Sequence, residues 1–270
     1  MPLGAVGTRS SASSDGGFGS DGPTRSLPVR GRRFRIALWL AKILLALVVI
    51  VAVAVGLLFV LTPSAGQATP LARAQARERH IGYPGPPVPQ YFTQALVATE
   101  DHRFYTDPGV DPFAVARVLV SRLIGRSDQG GSTIDQQLAK NLYTSGRGGF
   151  LHVLEQVAIA VKLNQAYSRA EILRLYAEVA YYGHGYYGLQ AASCGYFGRP
   201  PARLSLVQAA MLAGAVNAPT YDDPLVYPWQ ARTRLVHVID RMAAVGDLTR
   251  AQQTAALNAP LDLSAARGCP

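Results

Sequence analysis

The segment GGSTIDQQLAKN, residues 130–141, contains the pattern that decides the fold of the main body of the chain. A Ser or Thr followed three residues later by an acidic or amide side chain is a capping box, which begins a helix, and both Ser132 and Thr133 meet this condition. Amides bind sugar hydroxyls and an ammonium binds an anion, so the segment predicts a capped helix with polar binding faces. Residues four apart share a helix face, which pairs Gln136 with Lys140 and Gln137 with Asn141.

Apolar residues recur at three- and four-residue spacing on both sides of this segment, which is typical of amphipathic helices. Strand alternation and hairpin signals are missing from the sequence. We therefore predict an all-α body over residues 91–260, followed by a C-terminal tail over residues 261–270. The helical pattern covers Tyr91–Thr99, Phe113–Ile124, Ser132–Leu142, Leu151–Ala166, Arg169–Tyr182, Ser205–Ala215 and Gln230–Val245.

Composition and motifs exclude several classes of protein. The chain is 49% hydrophobic and 16% charged, which excludes disorder throughout, because disordered chains are rich in charge and poor in apolar residues. The motif GHGYYG at residues 183–188 matches a dinucleotide-binding fingerprint. It follows a helical pattern and not a strand, so we exclude a dinucleotide-binding site there. The five histidines lack the spacing of a metal site. We predict no organic cofactor.

Nineteen successive apolar residues, Ile43–Leu61, predict a transmembrane helix over residues 36–61. At about 1.5 Å per residue, the run matches the roughly 30 Å hydrocarbon core of a bilayer. The run has no polar face, which a core helix of a soluble protein would show. A cleaved signal peptide is the alternative, since the small residues Ala65 and Ala68 lie nearby.

The charge distribution predicts the orientation of this helix. Arginines cluster before it, between Arg25 and Arg35, and positive flanks stay in the cytoplasm. We therefore predict a disordered cytoplasmic tail over residues 1–35 and a body outside the cytoplasmic (inner) membrane. The flank through Lys42 carries five of the nine net positive charges. The remaining charges form no basic run, so we predict no nucleic-acid partner.

Residues 62–90 contain six prolines and are predicted to be a linker. The basic stretch Arg73–Arg79 within them is interpreted as a solvated linker helix, with contact to anionic lipid headgroups as the alternative. Cys194 and Cys269 are expected in an oxidising compartment. Both a disulfide between them and two free thiols remain open.

Glu100 and Asp101 are adjacent carboxylates at the end of the first predicted helix of the body. The negative end of a helix dipole favours the protonated form of a carboxyl group, which makes the carboxylate a stronger base. The pair is therefore a candidate for general-base chemistry, and a solvated helix end is the alternative interpretation.

At these residues the sequence resembles the family 51 glycosyltransferases, the peptidoglycan polymerases. The first family motif, Glu-Asp-x-x-Phe-x-x-His-x-Gly, matches at Glu100, Asp101, Phe104 and Gly109. The resemblance covers roughly residues 88–258, and the segment 130–141 is its most specific part. The second motif, Gly-x-Ser-Thr-x-x-Gln-Gln with Lys-Asn beyond, matches in full at Gly130, Ser132, Thr133, Gln136, Gln137, Lys140 and Asn141.

The resemblance implies a mainly α, lysozyme-like glycosyltransferase domain with a small membrane-facing lobe, preceded by the transmembrane helix. It implies polymerisation of lipid II into glycan strands by inverting transfer outside the membrane. Glu100 is implied as the general base, and Lys140 as the group that stabilises the pyrophosphate leaving group. The substrate-binding positions implied are Asp101, Phe104, Ser132, Thr133, Gln136, Gln137 and Asn141. Arg147, in a glycine-flanked loop, is a further candidate for substrate binding, as a replacement for a cation that the third family motif has lost in this chain.

The implied partners are lipid II, the glycan on undecaprenyl pyrophosphate, the bilayer and other cell-wall synthesis proteins. The resemblance also implies a divalent cation, Mg²⁺ or Mn²⁺, at the pyrophosphate. The layout of one anchor and no transpeptidase motif resembles that of the monofunctional members.

Three departures from the family pattern leave a second hypothesis open. The first-motif histidine is Asp107 here, and the third motif, Arg-Lys-x-x-Glu, falls on residues 152–156, where its basic pair is lost. Val153 stands at one basic position, and the motif's glutamate is Gln156 or is displaced to Glu155. The alternative function is therefore a catalytically impaired family member that binds lipid II or glycan within a cell-wall complex.

Overall fold

A computed structural model describes residues 30–111, 132–145, 147, 149–264 and 269, with side chains from residue 34 onward. The predicted helix Phe113–Ile124, the glycines at positions 130 and 131 and most of the predicted N-terminal tail lie outside the described residues. Within the described residues the chain is helical apart from turns and contains no β-strand, and one isolated bridge joins Tyr181 and Tyr187. The prediction of a mainly α fold is confirmed.

Helix α1, Arg30–Leu61, contains the long apolar run. Within the described part of the chain it is the helix that is long and apolar enough to cross a membrane, and its apolar window is not buried. An N-terminal helix of this length and composition is consistent with a membrane anchor or a signal sequence. The described residues up to Ala52 form one unit, and the described residues from Val53 onward form a second.

The second unit contains nine further α-helices within the residues that the structure describes. They are α2 (Ala68–Glu78), α3 (Gln90–Glu100), α4 (Ile134–Tyr143), α5 (Phe150–Ala166), α6 (Arg169–Val179), α7 (Leu189–Phe197), α8 (Leu206–Ala215), α9 (Pro228–Ala244) and α10 (Arg250–Asn258). Two short 3-10 helices, Ala65–Gln67 and Pro201–Arg203, precede α2 and α8.

The helices of this unit pack in two groups around one hydrophobic core. Helix α8 is apolar on nearly all sides, and every residue from Val207 to Ala215 is buried, because α8 packs between α3 and α9. In the second group, α4 packs against α5 and α6. The C-terminal end of α3 and the polar face of α4 come together where these two groups meet, so the candidate residues of two sequence motifs lie at one place.

Part of the segment predicted to be a linker is packed against the body. Helix α2 contacts α4 and α6, and it buries Ala68, Ala72 and Ala76. Alanines every fourth residue form a narrow face that allows close helix packing. Small side chains give only a weak hydrophobic signal, and for this reason the sequence pattern indicated a solvated helix here.

Helix starts follow the capping boxes, whereas one predicted helix end is wrong. Thr133 caps α4, with both reciprocal bonds to Gln136, so Ser132 lies before the helix. Ser168 and Glu171 form the same box on α6. The predicted helix Arg169–Tyr182 ends at Val179, because the chain turns back through a glycine-rich loop in which the amide of Gly188 donates to the carbonyl of Ala180.

The turn after α6 requires glycine at position 183. Gly183 has a φ of +87°, and a Cβ atom there would lie 2.2 Å from the carbonyl oxygen of Pro219. This close approach brings the Pro219 segment beside the end of α6.

Cys194 and Cys269 form a disulfide, which links α7 to the end of the chain. Of the two alternatives for these cysteines, the structure has the bonded one. Helices α7 and α10 were not among the predicted helices. Helix α7 is buried on almost every side and therefore lacks an amphipathic period.

Candidate active site

Glu100, the last residue of α3, has a nearly buried carboxylate with two side-chain partners. The Nη2 atom of Arg234 lies 2.6 Å from Oε1, and the amide nitrogen of Gln137 donates to Oε2 at 2.9 Å. The Glu100 side chain is 6% exposed and that of Arg234 is 18% exposed. A charge removed from water needs such partners, and Arg234 and Gln137 supply one to each carboxylate oxygen of Glu100.

Tyr176 determines which way the Gln137 amide points. Its hydroxyl donates to the Gln137 side-chain oxygen at 2.7 Å, which leaves the amide nitrogen to donate to Glu100. Burial, with a smaller contribution from the nearby Glu100 charge, raises the pKa of Tyr176 well above its ordinary value. Tyr176 therefore stays a hydroxyl donor, and the chain Tyr176–Gln137–Glu100 is ordered in one direction.

Most of the predicted site residues line one cavity of about 540 Å³, with the Glu100 carboxylate in its wall. A cavity of this size lies in the usual range for small-molecule and cofactor sites. Lys140 is exposed at the cavity, and the polar residues of α4 surround it. The predicted residues that line the cavity are Glu100, Ser132, Gln136, Gln137, Lys140, Asn141, Arg147 and Gln156.

The third-motif region reaches the cavity through Gln156 and Arg147. The Gln156 amide nitrogen donates to Thr144 Oγ1 at 3.0 Å and to the carbonyl of Arg147 at 3.2 Å. The backbone amide of Arg147 and its Nε also donate to the carbonyl of Thr144. These bonds hold the turn that carries the Arg147 guanidinium to the edge of the cavity.

The other third-motif positions differ from Gln156. Val153 lines the cavity with an apolar side chain. Glu155 is not among the lining residues and pairs with His152, with 3.2 Å between Nδ1 and Oε2. Of the two candidates for the motif's glutamate position, Gln156 is the one brought to the cavity.

Three predicted binding residues lie behind the cavity wall. Phe104 is fully buried in the core, and the Thr133 hydroxyl donates to the carbonyl of Gly109 at 2.7 Å. Asp101 accepts the amide of Ile134 at 3.0 Å. Burial raises the pKa of Asp101, and the nearby Asp107 raises it further. These residues join the end of α3 to the start of α4, so they position the cavity residues.

Two residues that contact the site were missed at the sequence level. Arg234 lies 134 positions from its partner Glu100, and it lies on a helix whose pattern is that of ordinary amphipathic packing. Tyr176 lies on the buried side of α6, where a tyrosine is interpreted as a core residue. No local spacing connects either residue to Glu100, so only the packing of α9 and α6 against α3 and α4 brings them together.

The described lining residues do not fit a protein-built site for a divalent cation at this cavity. Magnesium is usually held by one or two carboxylates together with substrate phosphates. Among the described lining residues the carboxylate is that of Glu100, and Arg234 and Gln137 already bind it. Lys140 and Arg147 also line the cavity and carry positive charge.

The chain matches a known protein family over most of its body. The family model for transglycosylases matches residues 67–243. A predicted transglycosylase from Cupriavidus necator is 38% identical over 176 residues, which are 65% of this chain and 76% of that protein. Penicillin-binding protein 1A from Aquifex aeolicus is 38% identical over 175 residues, which are 64% of this chain and 24% of that protein.

A solved structure is also similar in sequence. The crystal structure of penicillin-binding protein 1A from Haemophilus influenzae is 28% identical with a TM-score of 0.35, and the match covers 49% of this chain and 16% of that one. The chain thus spans about three quarters of the Cupriavidus relative and about a quarter of the Aquifex protein. With a family model that matches residues 67–243, the chain belongs to the transglycosylase family, the family 51 glycosyltransferases of peptidoglycan synthesis.

Proposed function

We propose that this protein is a peptidoglycan glycosyltransferase that polymerises lipid II into glycan strands by inverting transfer. One observation carries the proposal: the Glu100 carboxylate, the Lys140 ammonium and the Arg147 guanidinium all line one cavity of about 540 Å³. A base and a pair of cations on one cavity meet the two needs of the reaction, which are removal of a proton from the acceptor and stabilisation of an anionic leaving group.

Glu100 acts as the general base. Its carboxylate takes the proton of the acceptor sugar hydroxyl as that oxygen attacks the anomeric carbon of the donor. Arg234 and Gln137 each bind one carboxylate oxygen, and an ionised carboxylate has about four lone-pair sites for hydrogen bonds. The oxygens therefore retain acceptor capacity for the incoming proton, while the partners hold the side chain in place.

Lys140 and Arg147 stabilise the departing pyrophosphate. Both side chains are exposed at the cavity, and no acidic side chain in the described part of the chain pairs with either, so their charges are directed at a ligand. Ser132, Gln136 and Asn141 line the same cavity and bind sugar hydroxyls. A divalent cation at the pyrophosphate remains a prediction, and such an ion would take most of its ligands from the substrate.

The long apolar helix α1 anchors the protein in the cytoplasmic membrane, with the N-terminus in the cytoplasm and the catalytic domain outside. A lipid-linked substrate explains why the enzyme is held at the bilayer. Lipid II, the undecaprenyl-pyrophosphate-linked glycan and other cell-wall synthesis proteins are the partners of this proposal. We include in this proposal the small membrane-facing lobe that the family resemblance implies.

Polymerisation of lipid II by the purified full-length chain tests the proposal. Wild type should form glycan polymer, and Glu100→Gln should reduce the rate by at least about 10²-fold, in the range of lost general-base catalysis. Glu78→Gln, the same substitution at an exposed glutamate of α2, serves as the matched control. No polymer from folded wild-type protein over a range of pH and of Mg²⁺ or Mn²⁺ would refute the enzymatic function.

A non-catalytic lipid II or glycan-binding protein is the second candidate. The observation that favours it is the loss of charge at two third-motif positions, because Val153 and Gln156 line the cavity where the family has a cation and a carboxylate. Saturable binding of lipid II by a folded protein that makes no polymer would support this function. Polymerisation that Glu100→Gln abolishes would exclude it.

A further inference from the structure

Three buried aspartates, one of them the residue after Glu100, form a cluster outside the cavity wall. Asp101, Asp107 and Asp135 are 6%, 6% and 0% exposed. One carboxylate oxygen from each lies within 4.8 Å of those from the other two. The three residues come from separate segments: the position after α3, the loop that follows it, and the first turn of α4.

Hydrogen bonds within the described residues satisfy only part of this cluster. Asp101 Oδ2 accepts the amide of Ile134, and Asp107 Oδ1 accepts the amide of Gly109 at 2.7 Å. Asp135 Oδ1 accepts from the Asn164 side chain at 3.3 Å. The Oδ2 atoms of Asp107 and Asp135 are buried and have no hydrogen-bond partner in the described part of the chain. Buried carboxylate oxygens without a hydrogen-bond partner are unusual, so the cluster has acceptor positions open to a ligand.

The charge of the cluster points to the kind of ligand. Arg169 is the basic side chain placed against it, with Nη1 at 3.5 Å from Asp135 Oδ2 and Nη2 donating to the backbone carbonyl of Asp107. With all three carboxylates ionised, the cluster and the guanidinium carry a formal charge of about minus two, and such a buried charge has to be neutralised by protons or by a cation. One divalent cation neutralises this charge.

The donor atoms and their spacing favour one class of cation. Carboxylate oxygens without nitrogen or sulfur donors form a site for a hard cation. Oxygens on opposite sides of Ca²⁺ are about 4.6–5.2 Å apart, whereas those on opposite sides of Mg²⁺ are about 4.0–4.2 Å apart. Three oxygens that all lie within 4.8 Å of one another fall in the range spanned by the larger ion, Ca²⁺.

We propose that Asp101, Asp107 and Asp135 bind a structural Ca²⁺ ion that joins the end of α3 to the start of α4. The ion lies behind the cavity and does not touch the substrate. It holds Glu100, at the end of α3, in register with Gln137 and Lys140 on α4. Asp107 stands where the family motif has histidine, so the third carboxylate of the site distinguishes this chain from the family pattern.

Calcium binding by the metal-free protein tests this proposal. The full-length chain in nonionic detergent is treated with EDTA, exchanged into buffer, and titrated with CaCl₂ and with MgCl₂ in a calorimeter. We expect one saturable Ca²⁺ site per chain, weaker binding of Mg²⁺, and a higher melting temperature in Ca²⁺, because a ligand that binds only the folded state stabilises it.

Variants locate the ion. Asp107→Asn keeps the acceptor for the Gly109 amide but loses a charge, and Asp107→His restores the residue of the family motif. Each should weaken Ca²⁺ binding by about tenfold or more, since affinity follows the number of charged ligands. Asp240→Asn changes an exposed acid on α9 and should leave the affinity unchanged.

Two results would overturn the proposal. One is no saturable Ca²⁺ binding by folded wild-type protein, which would mean that protons neutralise the cluster. The other is binding that both Asp107 variants retain at full strength. No lipid II is present in these measurements, so their outcome is independent of the proposed polymerase activity.

Discussion

The Arg234→Ala variant should lose both stability and activity, because it removes the cation that compensates the Glu100 carboxylate. The two side chains are 18% and 6% exposed and 2.6 Å apart. Removing one partner of a buried ion pair costs about 3–5 kcal/mol. For a unit of this size, that loss corresponds to a fall in melting temperature of about 6–20 °C.

A double-mutant cycle separates this pair from general damage to α9. The free energy of unfolding is measured for wild type, Arg234→Ala, Glu100→Gln and the double variant. We expect a coupling energy of about 2 kcal/mol or more, because a neutral glutamine side chain at position 100 no longer needs a cation. Polymerisation of lipid II is measured on the same four proteins, and Arg234→Ala should approach the low rate of Glu100→Gln.

Arg232→Ala is the matched control on the same helix. Arg232 donates to the carbonyl of Leu257 and does not contact Glu100, so its loss should cost about 1 kcal/mol and leave polymerisation intact. Additive effects of Arg234→Ala and Glu100→Gln, within about 0.5 kcal/mol, would refute the reasoning. An Arg234→Ala protein with full activity would do the same.

Three further predictions concern the third motif, the disulfide and the acidic cluster. Gln156→Glu puts a carboxylate in place of the amide that donates to Thr144 and to the Arg147 carbonyl. It should lower the free energy of unfolding, measured by chemical denaturation, by about 1–3 kcal/mol. An unchanged value would contradict the assigned bonds. The Cys194–Cys269 disulfide closes a span of 75 residues, so its reduction should lower the free energy of unfolding by about 4 kcal/mol through loop entropy. Cys269→Ser should show the same loss, and its stability should not change when reductant is added. In EDTA, the free energy of unfolding should fall as pH rises from about 4 to about 8, because burial raises the pKa of Asp101 to about 8 and that of Asp135 to about 6. A group whose pKa is raised by folding stabilises the folded state at low pH and loses that contribution as pH rises through the raised value. Equal denaturation curves at the two ends of this pH range would contradict the prediction.

Local patterns predicted much of the helical fold, because caps and hydrophobic periodicity depend on residues close together in sequence. The capping boxes at Thr133 and Ser168 begin helices in the structure. The end of α6 was predicted less well, since it depends on the contact between Gly183 and Pro219. Helix α2 was underestimated because the alanines that it buries carry little hydrophobic signal.

For the candidate site, too, local motifs predicted some residues, whereas others depended on how the helices pack. The motif on α4 predicted the face that carries Gln136 and Lys140, and both lie at the cavity. Whether Gln156 or Glu155 would reach that cavity depended on the rotation of α5 and on the bonds of Gln156 to the Arg147 turn.

By itself, the sequence determined the helical class, the long apolar helix, the starts of the capped helices and the family, because each of these depends on local spacing or on motif identity. Only the tertiary structure decided that Arg234 compensates Glu100, that Tyr176 orients Gln137, that Cys194 pairs with Cys269, and that three aspartates meet in one buried cluster. These contacts join residues far apart in the chain. Apart from the covalent disulfide, their energies come from charges and polar groups removed from water together, and that proximity exists only after the helices have packed.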